Sequence, residues 1–309
     1  MKFWSVALLG IILTGGWVSA QYIESQRKDI IMHADSPVRV CGEMGSGLKI
    51  ATFSTNPPFG WTEGKGNFSS NGFAVSLMDQ IAQELNIVYG NIGFDKDEDA
   101  MAALDIGAID MIVGAYYDPK IKGIGHRYLI PAFIPNVITV VFLKGKKKEV
   151  GDFKDLIGLK GAVRQDEQFY PYIRLSLPEE LEIESVFDSR EAFTKLLTGE
   201  VDFLLSSPYA AEAEARRFKL NKQIELISTP LMAQELFVLY SKNSECPQYQ
   251  NEIARKLQEK RQDLNGLKRD LISFIDTWGQ KFKNEPSLID QLKAEKILPE
   301  DYKVPGADQ

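Results

Sequence analysis

The sequence predicts an α/β protein with two lobes, and three observations support this fold class. Residues 48–85 read as a strand, an aromatic turn and an amphipathic helix, which is how an open α/β sheet begins. A unit of helix, Gly, any residue, apolar residue, Asp and buried strand occurs twice, around Gly107 and around Gly199. Two chain crossings, near 141–144 and 234–240, indicate a hinge between the lobes.

The first strand, predicted over 48–53, runs into the turn Asn56-Pro57-Pro58-Phe59-Gly60-Trp61. Two adjacent prolines remove two backbone donors and fix φ, so strand pairing should stop there. A polar segment follows, and then a helix with apolar residues at helical spacing. Its apolar positions are Phe73, Leu77, Met78, Ile81, Ala82 and Leu85. Ligands of open α/β sheets bind beyond the carboxyl ends of such strands.

The rest of the chain continues the βα pattern. In the first lobe we expect strands over 87–94, 109–113 and 137–143, a helix over 100–104, and a loop at 114–119. In the second we expect a segment at 153–157, strands over 161–164, 183–187 and 201–205, and helices near 169–175 and over 191–197. A strand at 236–240 should return the chain to the first lobe, before a helical tail over 249–282. The predicted domains are 1–20 signal peptide, 21–46 extension, 47–142 plus 236–309 first lobe, and 143–235 second lobe.

Composition and termini limit the function classes. The net charge of −7 argues against a nucleic-acid surface, which needs a concentrated basic face. Residues 1–20 have an apolar run after Lys2 and end in Val18-Ser19-Ala20, which is typical of a cleaved signal peptide. The alternative is an uncleaved membrane anchor, because the run approaches the length of a span. No later stretch is apolar for long enough, so a soluble exported protein is expected.

The two cysteines, Cys41 and Cys246, would then face an oxidising compartment. Cys41 precedes the first strand, and Cys246 follows the return into the same lobe, so a disulfide is one reading. Two unrelated thiols are the other, because a disulfide requires close and correctly aimed Cβ atoms.

Three motifs in order carry a resemblance to a known family. They are Pro57-Pro58-Phe59, Gly72-Phe73 before the helix, and Ile81-Ala82-Gln83-Glu84-Leu85 within it. The stretch Ala103-Leu104-Asp105-Ile106-Gly107-Ala108-Ile109-Asp110 is a further match. Over residues 48–282 the chain resembles the amino-acid-type extracellular solute-binding proteins of ABC importers. The resemblance implies a two-lobed type II periplasmic-binding-protein fold, with two open sheets joined by a two-segment hinge.

The resemblance also implies how a ligand would be held, and here the sequence departs from the family. Members stack an aromatic residue on the ligand, pair an Arg with its carboxylate and pair an Asp with its ammonium group. Those positions fall on Asn56, on Ile121 or Lys122, and on Ser207. Lys122 would keep the charge without the planar guanidinium fork. An ordinary L-amino acid is therefore not the expected ligand.

The remaining candidates suit a small polar or aromatic metabolite, because Tyr and Trp combine a flat apolar area with a polar group. For Phe59 and Trp61 the alternative is hydrophobic packing beneath a loop. Tyr116 and Tyr117 are adjacent, so at most one should line the site. The alternative for Arg164 is a salt bridge to Asp166. The predicted ligand-binding residues are Asn56, Phe59, Trp61, Tyr116, Tyr117, Asp118, Lys122, Arg164, Asp166, Ser207 and Tyr209.

Signals for catalysis are weak. The chain has two histidines, and His126 is expected at the surface or a sheet edge. It lacks the HExxH and GxSxG motifs. Some proteins of this fold are dehydratases, and Glu167 is the carboxylate such an enzyme would use, but the sequence around it lacks a glycine-rich loop. We therefore expect a monomeric periplasmic binder with no cofactor, delivering its ligand to an ABC permease. The alternative is a sensory or accessory protein serving a receptor or redox enzyme.

Overall fold

The computed structural model describes most of the chain between Arg39 and Val304. The described residues are 39–41, 47–53, 55–62, 70–94, 96–118, 120–121, 125–146, 149–165, 174 and 177–304. The predicted signal peptide, most of the extension at 21–46 and most of the predicted helix near 169–175 lie outside them. Lys122, Asp166 and Glu167 also lie outside the described residues.

Strands and helices alternate along much of the chain, in agreement with the predicted α/β class. In chain order the elements are β1 (Leu48–Phe53), β2 (Thr55–Asn56), β3 (Gly60–Thr62), β4 (Ser70–Asn71), α1 (Phe73–Leu85), β5 (Tyr89–Phe94), α2 (Asp97–Asp105), β6 (Met111–Tyr116), β7 (Arg127–Pro135), β8 (Thr139–Leu143), β9 (Lys160–Arg164), β10 (Glu182–Val186), α3 (Ser189–Thr198), β11 (Phe203–Ser206), α4 (Pro208–Arg217), β12 (Ile224–Leu226), β13 (Glu235–Tyr240), α5 (Gln250–Gln262), α6 (Leu264–Lys281) and α7 (Leu288–Ala294). Short 3-10 helices cover Phe153–Leu156 and Pro247–Tyr249. Among the described helices, none combines the length and apolar character that a bilayer span requires.

The first lobe is built on a five-stranded sheet in the order β5-β1-β6-β13-β7. β13 is antiparallel to both of its neighbours, so β1, β5, β6 and β7 all run in one direction. The predicted return of the chain at 236–240 is therefore confirmed. β6 extends to Tyr116, so the first residues of the predicted 114–119 loop belong to the strand. A small sheet of β2, β3 and β4 lies beside this lobe.

The second lobe has its own five-stranded sheet, in the order β10-β9-β11-β8-β12. β9, β10 and β11 are parallel, and β8 is antiparallel to β11 and to β12. Both lobes lie within one compact unit, Val40–Gln309.

The chain enters the second sheet earlier than the sequence predicts. The β-branched run at 139–143 is expected in the first lobe, but as β8 it pairs with β11 and β12. A continuous apolar run indicates a buried strand without indicating which sheet buries it. The two crossings run side by side before β8 and before β13, where Asn136 N donates to Gln234 O (2.8 Å) and Ile138 N donates to Met232 O (3.0 Å).

The C-terminal region also differs from prediction. The helical tail is divided at Asp263, whose side chain accepts a hydrogen bond from Gly266 N and begins α6. After α6 the chain leaves the first lobe, although 236–309 is predicted to belong there. Leu288 and Leu292 of α7 are buried in the same core cluster as Leu196 of α3, and Tyr302 Oη donates to Leu197 O (2.7 Å). The apolar positions of α7 are few, so the sequence pattern gives no partner for it.

A disulfide joins Cys41 to Cys246, with 5.6 Å between their Cα atoms. Of the two readings that the sequence leaves open, the structure has the bonded one. The bond ties the segment before β1 to the segment after β13, at the edge of the first sheet where β1 begins.

Candidate functional site

The carboxyl ends of the parallel strands of both sheets meet where the chain crosses between lobes. β6 and β7 end at Tyr116 and Pro135 in the first lobe, and β9 and β11 end at Arg164 and Ser206 in the second. Because the crossings join these same edges, the two edges face each other. We call the space between them the interlobe gap, and it is where an open α/β architecture places its ligands.

The wall of the gap in the first lobe is the proline turn. Asn56 pairs with Gly60 in the β2–β3 hairpin, and the turn places Pro58 O at 3.0 Å from the N–H of Phe73. The turn therefore accepts a hydrogen bond from the first N–H of α1, which has no partner inside the helix. Gly72 has φ 125°, and a Cβ there would lie 2.5 Å from Phe59 O, so the glycine before α1 is sterically required.

Phe59 and Trp61 are each only 2% exposed. Trp61 packs against Phe274 and Trp278 of α6, with ring centroids 6.2 Å and 5.3 Å away. Its ring is thus a core side chain, which is the packing alternative. Phe59 makes an edge-to-face contact with Tyr209 of the second lobe at 6.0 Å, so its ring reaches across the gap.

The two adjacent tyrosines lie on opposite faces of the sheet, as predicted. Tyr116 is buried, and its hydroxyl accepts a hydrogen bond from Asn136 Nδ2 at 2.6 Å. Tyr117 is 45% exposed and packs on Tyr128 and Phe237, with centroids 5.1 Å and 6.3 Å away. Asn136 brings the first crossing into contact with the end of β6.

Asp118 has a local role in the turn that follows β6. Its N–H donates to Tyr128 Oη (2.9 Å), and its Oδ1 accepts from Lys120 N (2.8 Å). The Tyr128 hydroxyl donates in turn to Tyr116 O (3.0 Å). Burial is the main cause that raises the pKa of Tyr128 to about 12, so the phenol stays protonated and can donate at neutral pH.

Arg164 connects the lobes. Its Nη1 donates to Ser189 Oγ (2.9 Å) at the start of α3, and its Nη2 donates to Thr55 O (3.2 Å) in the first lobe. The guanidinium therefore lies at the interlobe gap, where the sequence predicts it. Its alternative partner, Asp166, is outside the described residues.

Ser207 and Tyr209 flank the start of α4. Ser207 is 1% exposed, and its hydroxyl accepts from Ala210 N (3.2 Å) as the N-cap of the helix. Tyr209 is half-buried, which raises its phenol pKa, and its ring contacts Phe59. The position that resemblance assigns to the ligand's ammonium group thus carries a helix cap.

Residues predicted to bind the ligand make two direct contacts between the lobes. Arg164 contacts Thr55, and Phe59 contacts Tyr209. The structure adds Thr55, Ser189 and Asn136, which sequence reasoning missed. The position of Ser189 at a helix start could have been predicted, because Asp188 and Glu191 have the spacing of a helix cap. In the structure Asp188 caps α3 by accepting from Glu191 N (2.8 Å). No sequence pattern predicts the contact of Asn136 with Tyr116, since that contact depends on how the chain crosses between the lobes. Its buried Oδ1 has no hydrogen-bond partner among the described residues.

A small cavity of about 20 Å³ in the second lobe is lined in part by Arg164. Ala162, Leu204 and Glu214 are among the residues that line it. It has room for about one water molecule, so it is too small for a metabolite.

His126 lies at the other edge of the first sheet, before β7 begins. Its place beside the edge strand β7 agrees with the expected surface or sheet-edge position, but the residue is buried, because the segments around it enclose the imidazole. Its Nε2 lies 2.6 Å from Asp105 Oδ1, and its Nδ1 accepts from Lys242 N at 3.2 Å. It is therefore a packed residue away from the gap. Within the described part of the chain, no group of three His, Cys, Asp or Glu side chains is placed to hold a metal ion.

Comparison with known proteins shows the fold. No protein-family model matches the chain, and no curated protein matches its sequence. Among solved structures, the GluR0 ligand-binding core in complex with L-glutamate superposes with a TM-score of 0.60 at 15% identity, covering 77% of this chain and 99% of that one. ArgBP from T. maritima gives 0.56 at 18% identity, covering 75% and 94%. The VFT2 domain of Bordetella pertussis BvgS gives 0.55 at 16%, covering 75% and 92%.

This likeness confirms the predicted two-lobed type II periplasmic-binding-protein fold. The structural neighbours match nearly their whole length to this chain, so the two lobes and their crossings form a complete copy of the architecture.

Proposed function

We propose that the protein binds a small polar or aromatic metabolite between its lobes. The observation that carries this proposal is the position of Arg164, a second-lobe guanidinium that donates to Thr55 O of the first lobe across the gap. A solute carboxylate or phosphate would compete well for that donor, because hydrogen bonds between charged groups are stronger than those to a neutral carbonyl. Hinge closure around the solute is the motion that two linked lobes favour.

The ligand we propose is not an ordinary L-amino acid. The GluR0 core is in complex with L-glutamate, and ArgBP has been solved with arginine bound. The amino-acid determinants that the family resemblance implies are replaced in this chain. Ser207, at the position of the ammonium-binding Asp, is buried as a helix cap. Tyr209 is half-buried and offers a ring and a phenol, which suit a ligand with a flat or sugar-like face.

We further propose a periplasmic location, a monomeric state and delivery to an ABC permease, as the resemblance implies. Binding without turnover is proposed, because the buried His126–Asp105 pair lies away from the gap. A dehydratase based on Glu167 is the less favoured alternative.

Native mass spectrometry of the exported protein, purified without unfolding, tests the proposal most directly. We expect a co-purified small molecule in a one-to-one complex, with its mass unchanged after incubation. A product of altered mass would indicate an enzyme. Cleavage before Gln21 would appear in the same spectrum.

A thermal-shift screen tests the ligand class. A ligand at 100 times its Kd adds about 2.7 kcal/mol to stability, which raises the melting temperature measurably. We expect no shift with glutamine, histidine, glutamate or arginine. For an anionic metabolite that does raise the melting temperature, Arg164→Ala should abolish most of the shift. Arg190→Ala is the matched control, because Arg190 is a partly exposed arginine of the same lobe and pairs with Glu295 (2.7 Å). Equal loss in both variants would remove Arg164 from the site.

A sensory or accessory role is the second candidate. It is supported by the BvgS neighbour, which is a domain of a larger protein and not a free-standing binder. Co-purification with a membrane receptor and not with a permease would favour this role.

A further inference from the structure

Helix α6 contacts both lobes. Its first half belongs to the first lobe, where Leu267 and Leu271 are buried in the core with Leu257 of α5. Phe274 makes an edge contact with Phe73 of α1 at 6.4 Å. These apolar contacts fix the helix to the first lobe.

The second half of α6 packs on α4 of the second lobe. Trp278 Nε1 donates to Glu214 Oε1 (3.0 Å), and Asp276 forms an ion pair with Arg216. The helices approach closely at Gly279, where a Cβ would lie 3.0 Å from Arg216 Cβ. The glycine therefore permits the approach, and a larger side chain there would separate the helices.

Glu214 is a buried carboxylate at the contact between α4 and α6. The residue is 3% exposed, and its other oxygen accepts from Arg217 Nη1 at 3.2 Å. The Arg217 guanidinium also lies over the rings of Trp278 (5.8 Å) and Phe282 (4.8 Å). If α6 left α4, a buried carboxylate would lose one of its donors, which is unfavourable unless water replaces it.

The chain beyond α6 stays attached to the second lobe. Lys219 Nζ donates to Lys283 O (3.0 Å), and Leu288 N donates to Phe218 O (3.1 Å). The burial of α7 against α3 follows immediately. α6 is thus a third covalent connection between the lobes, in addition to the two crossings.

We propose that α6 is a brace that limits how far the lobes separate. The lobes cannot part about the crossings unless α6 releases α4, because the other half of the helix is held in the first-lobe core. On the α4 side, release breaks the Trp278–Glu214 hydrogen bond, the Asp276–Arg216 ion pair and the close approach at Gly279. Opening is therefore coupled to the Trp278–Glu214 contact, whatever the solute is.

Pulsed electron paramagnetic resonance on the full mature chain tests this proposal without any ligand. Spin labels at Glu98→Cys on α2 and Glu180→Cys before β10 report the separation of the lobes, because both positions are exposed and lie on different lobes. Gly279→Leu should give a longer and broader distance distribution than the parent. Gln280→Leu, an exposed neighbour on the same helix, should leave the distribution unchanged.

A second variant keeps the test decisive if Gly279→Leu does not fold. Trp278→Phe keeps a smaller aromatic ring and removes the indole donor to Glu214, so it should also broaden the distribution. The proposal is overturned if folded Gly279→Leu or Trp278→Phe protein keeps the parent distribution while hydrogen exchange shows α6 released from α4. This outcome would leave the solute-binding proposal intact, because binding is measured separately.

Discussion

Asp110 in the first lobe and Asp202 in the second occupy the same place in the repeated unit. Each immediately precedes a buried strand, and each carboxylate accepts the main-chain N–H of a lysine. The Asp110 Oδ2 to Lys49 N distance is 2.7 Å, and the Asp202 Oδ2 to Lys160 N distance is 2.9 Å. In both, the aspartate N–H donates back to the lysine carbonyl.

The surroundings of the two aspartates differ. Asp110 is 1% exposed, and its other oxygen accepts from Ser244 Oγ at 2.5 Å, close to the Cys41–Cys246 disulfide. Asp202 is exposed. The same local sequence therefore sets the same hydrogen bond twice, and tertiary burial decides how much each one contributes to stability.

The largest expected effect comes from the disulfide, which belongs to the first lobe alone. Replacing both Cys41 and Cys246 by Ser should lower the free energy of unfolding by about 4 kcal/mol, because the bond closes a long loop, with a sequence separation of 205. Urea unfolding measures the loss. Hydrogen exchange should show lost protection in β1 and β13 before β9 and β11. Equal loss in both sheets would contradict the assignment of the disulfide to the first lobe.

The aspartates themselves give the next effect. Asp110→Ala should cost roughly 3 kcal/mol, since it removes the acceptor of two buried or part-buried donors. Asp202→Ala should cost about 1 kcal/mol, because water can reach the Lys160 N–H. Urea unfolding of the two variants makes a matched pair. If both variants lose a similar free energy of unfolding, burial does not determine how much each aspartate contributes to stability.

The glycines of the repeated unit extend the comparison. Gly107 and Gly199 have φ of 74° and 77°, so an alanine is strained at either position. A Cβ at Gly107 would also lie 2.6 Å from Asn243 O, whereas a Cβ at Gly199 would point into open space. We expect Gly107→Ala to lower the free energy of unfolding by roughly 2 kcal/mol and Gly199→Ala by about 1 kcal/mol. A larger thermal destabilisation from Gly199→Ala would reverse the ranking.

The smallest effect concerns acid stability. Hydrogen bonds from Lys256 and then Lys260 lower the pKa of Glu84, which joins α1 to α5 in the first lobe. A lowered carboxyl pKa stabilises the folded state above the pKa of the unfolded chain, and this contribution is lost as pH falls through the folded pKa. Glu84→Gln should therefore lower the free energy of unfolding by less than about 1 kcal/mol at pH 7, because water screens the ion pair. Near pH 3 the substitution should not change the free energy of unfolding. Chemical unfolding at both pH values measures it, and a cost that persists at pH 3 would contradict the ionic origin.

Much of the fold could be predicted from the sequence, because local patterns specify it. The repeated unit, the proline turn and the return strand all depend on residues close together in sequence. β7 was missed because Pro131 and Pro135 argue against a strand, and it proves to be an edge strand, where proline is tolerated.

The candidate site was predicted less well. Arg164 is the last residue of β9 and Tyr209 lies in the first turn of α4, so their positions at the gap could be expected. Ser207 before Pro208 carries the signal of a helix N-cap, which explains its burial better than a ligand contact does. The burial of Trp61 depends on α6, a helix far away in sequence, and periodicity within either segment gives no sign of that contact.

The pairing of Trp61 with Trp278 has an optical consequence. Beyond residue 20 the sequence contains only these two tryptophans. Their ring centroids are 5.3 Å apart, so their electronic transitions couple. Intrinsic fluorescence and near-ultraviolet circular dichroism of the exported chain therefore report mainly on one place, where the proline turn meets the end of α6. The molecule thus carries its own spectroscopic reporter of how the end of α6 packs on the proline turn, and no added dye is required to follow it.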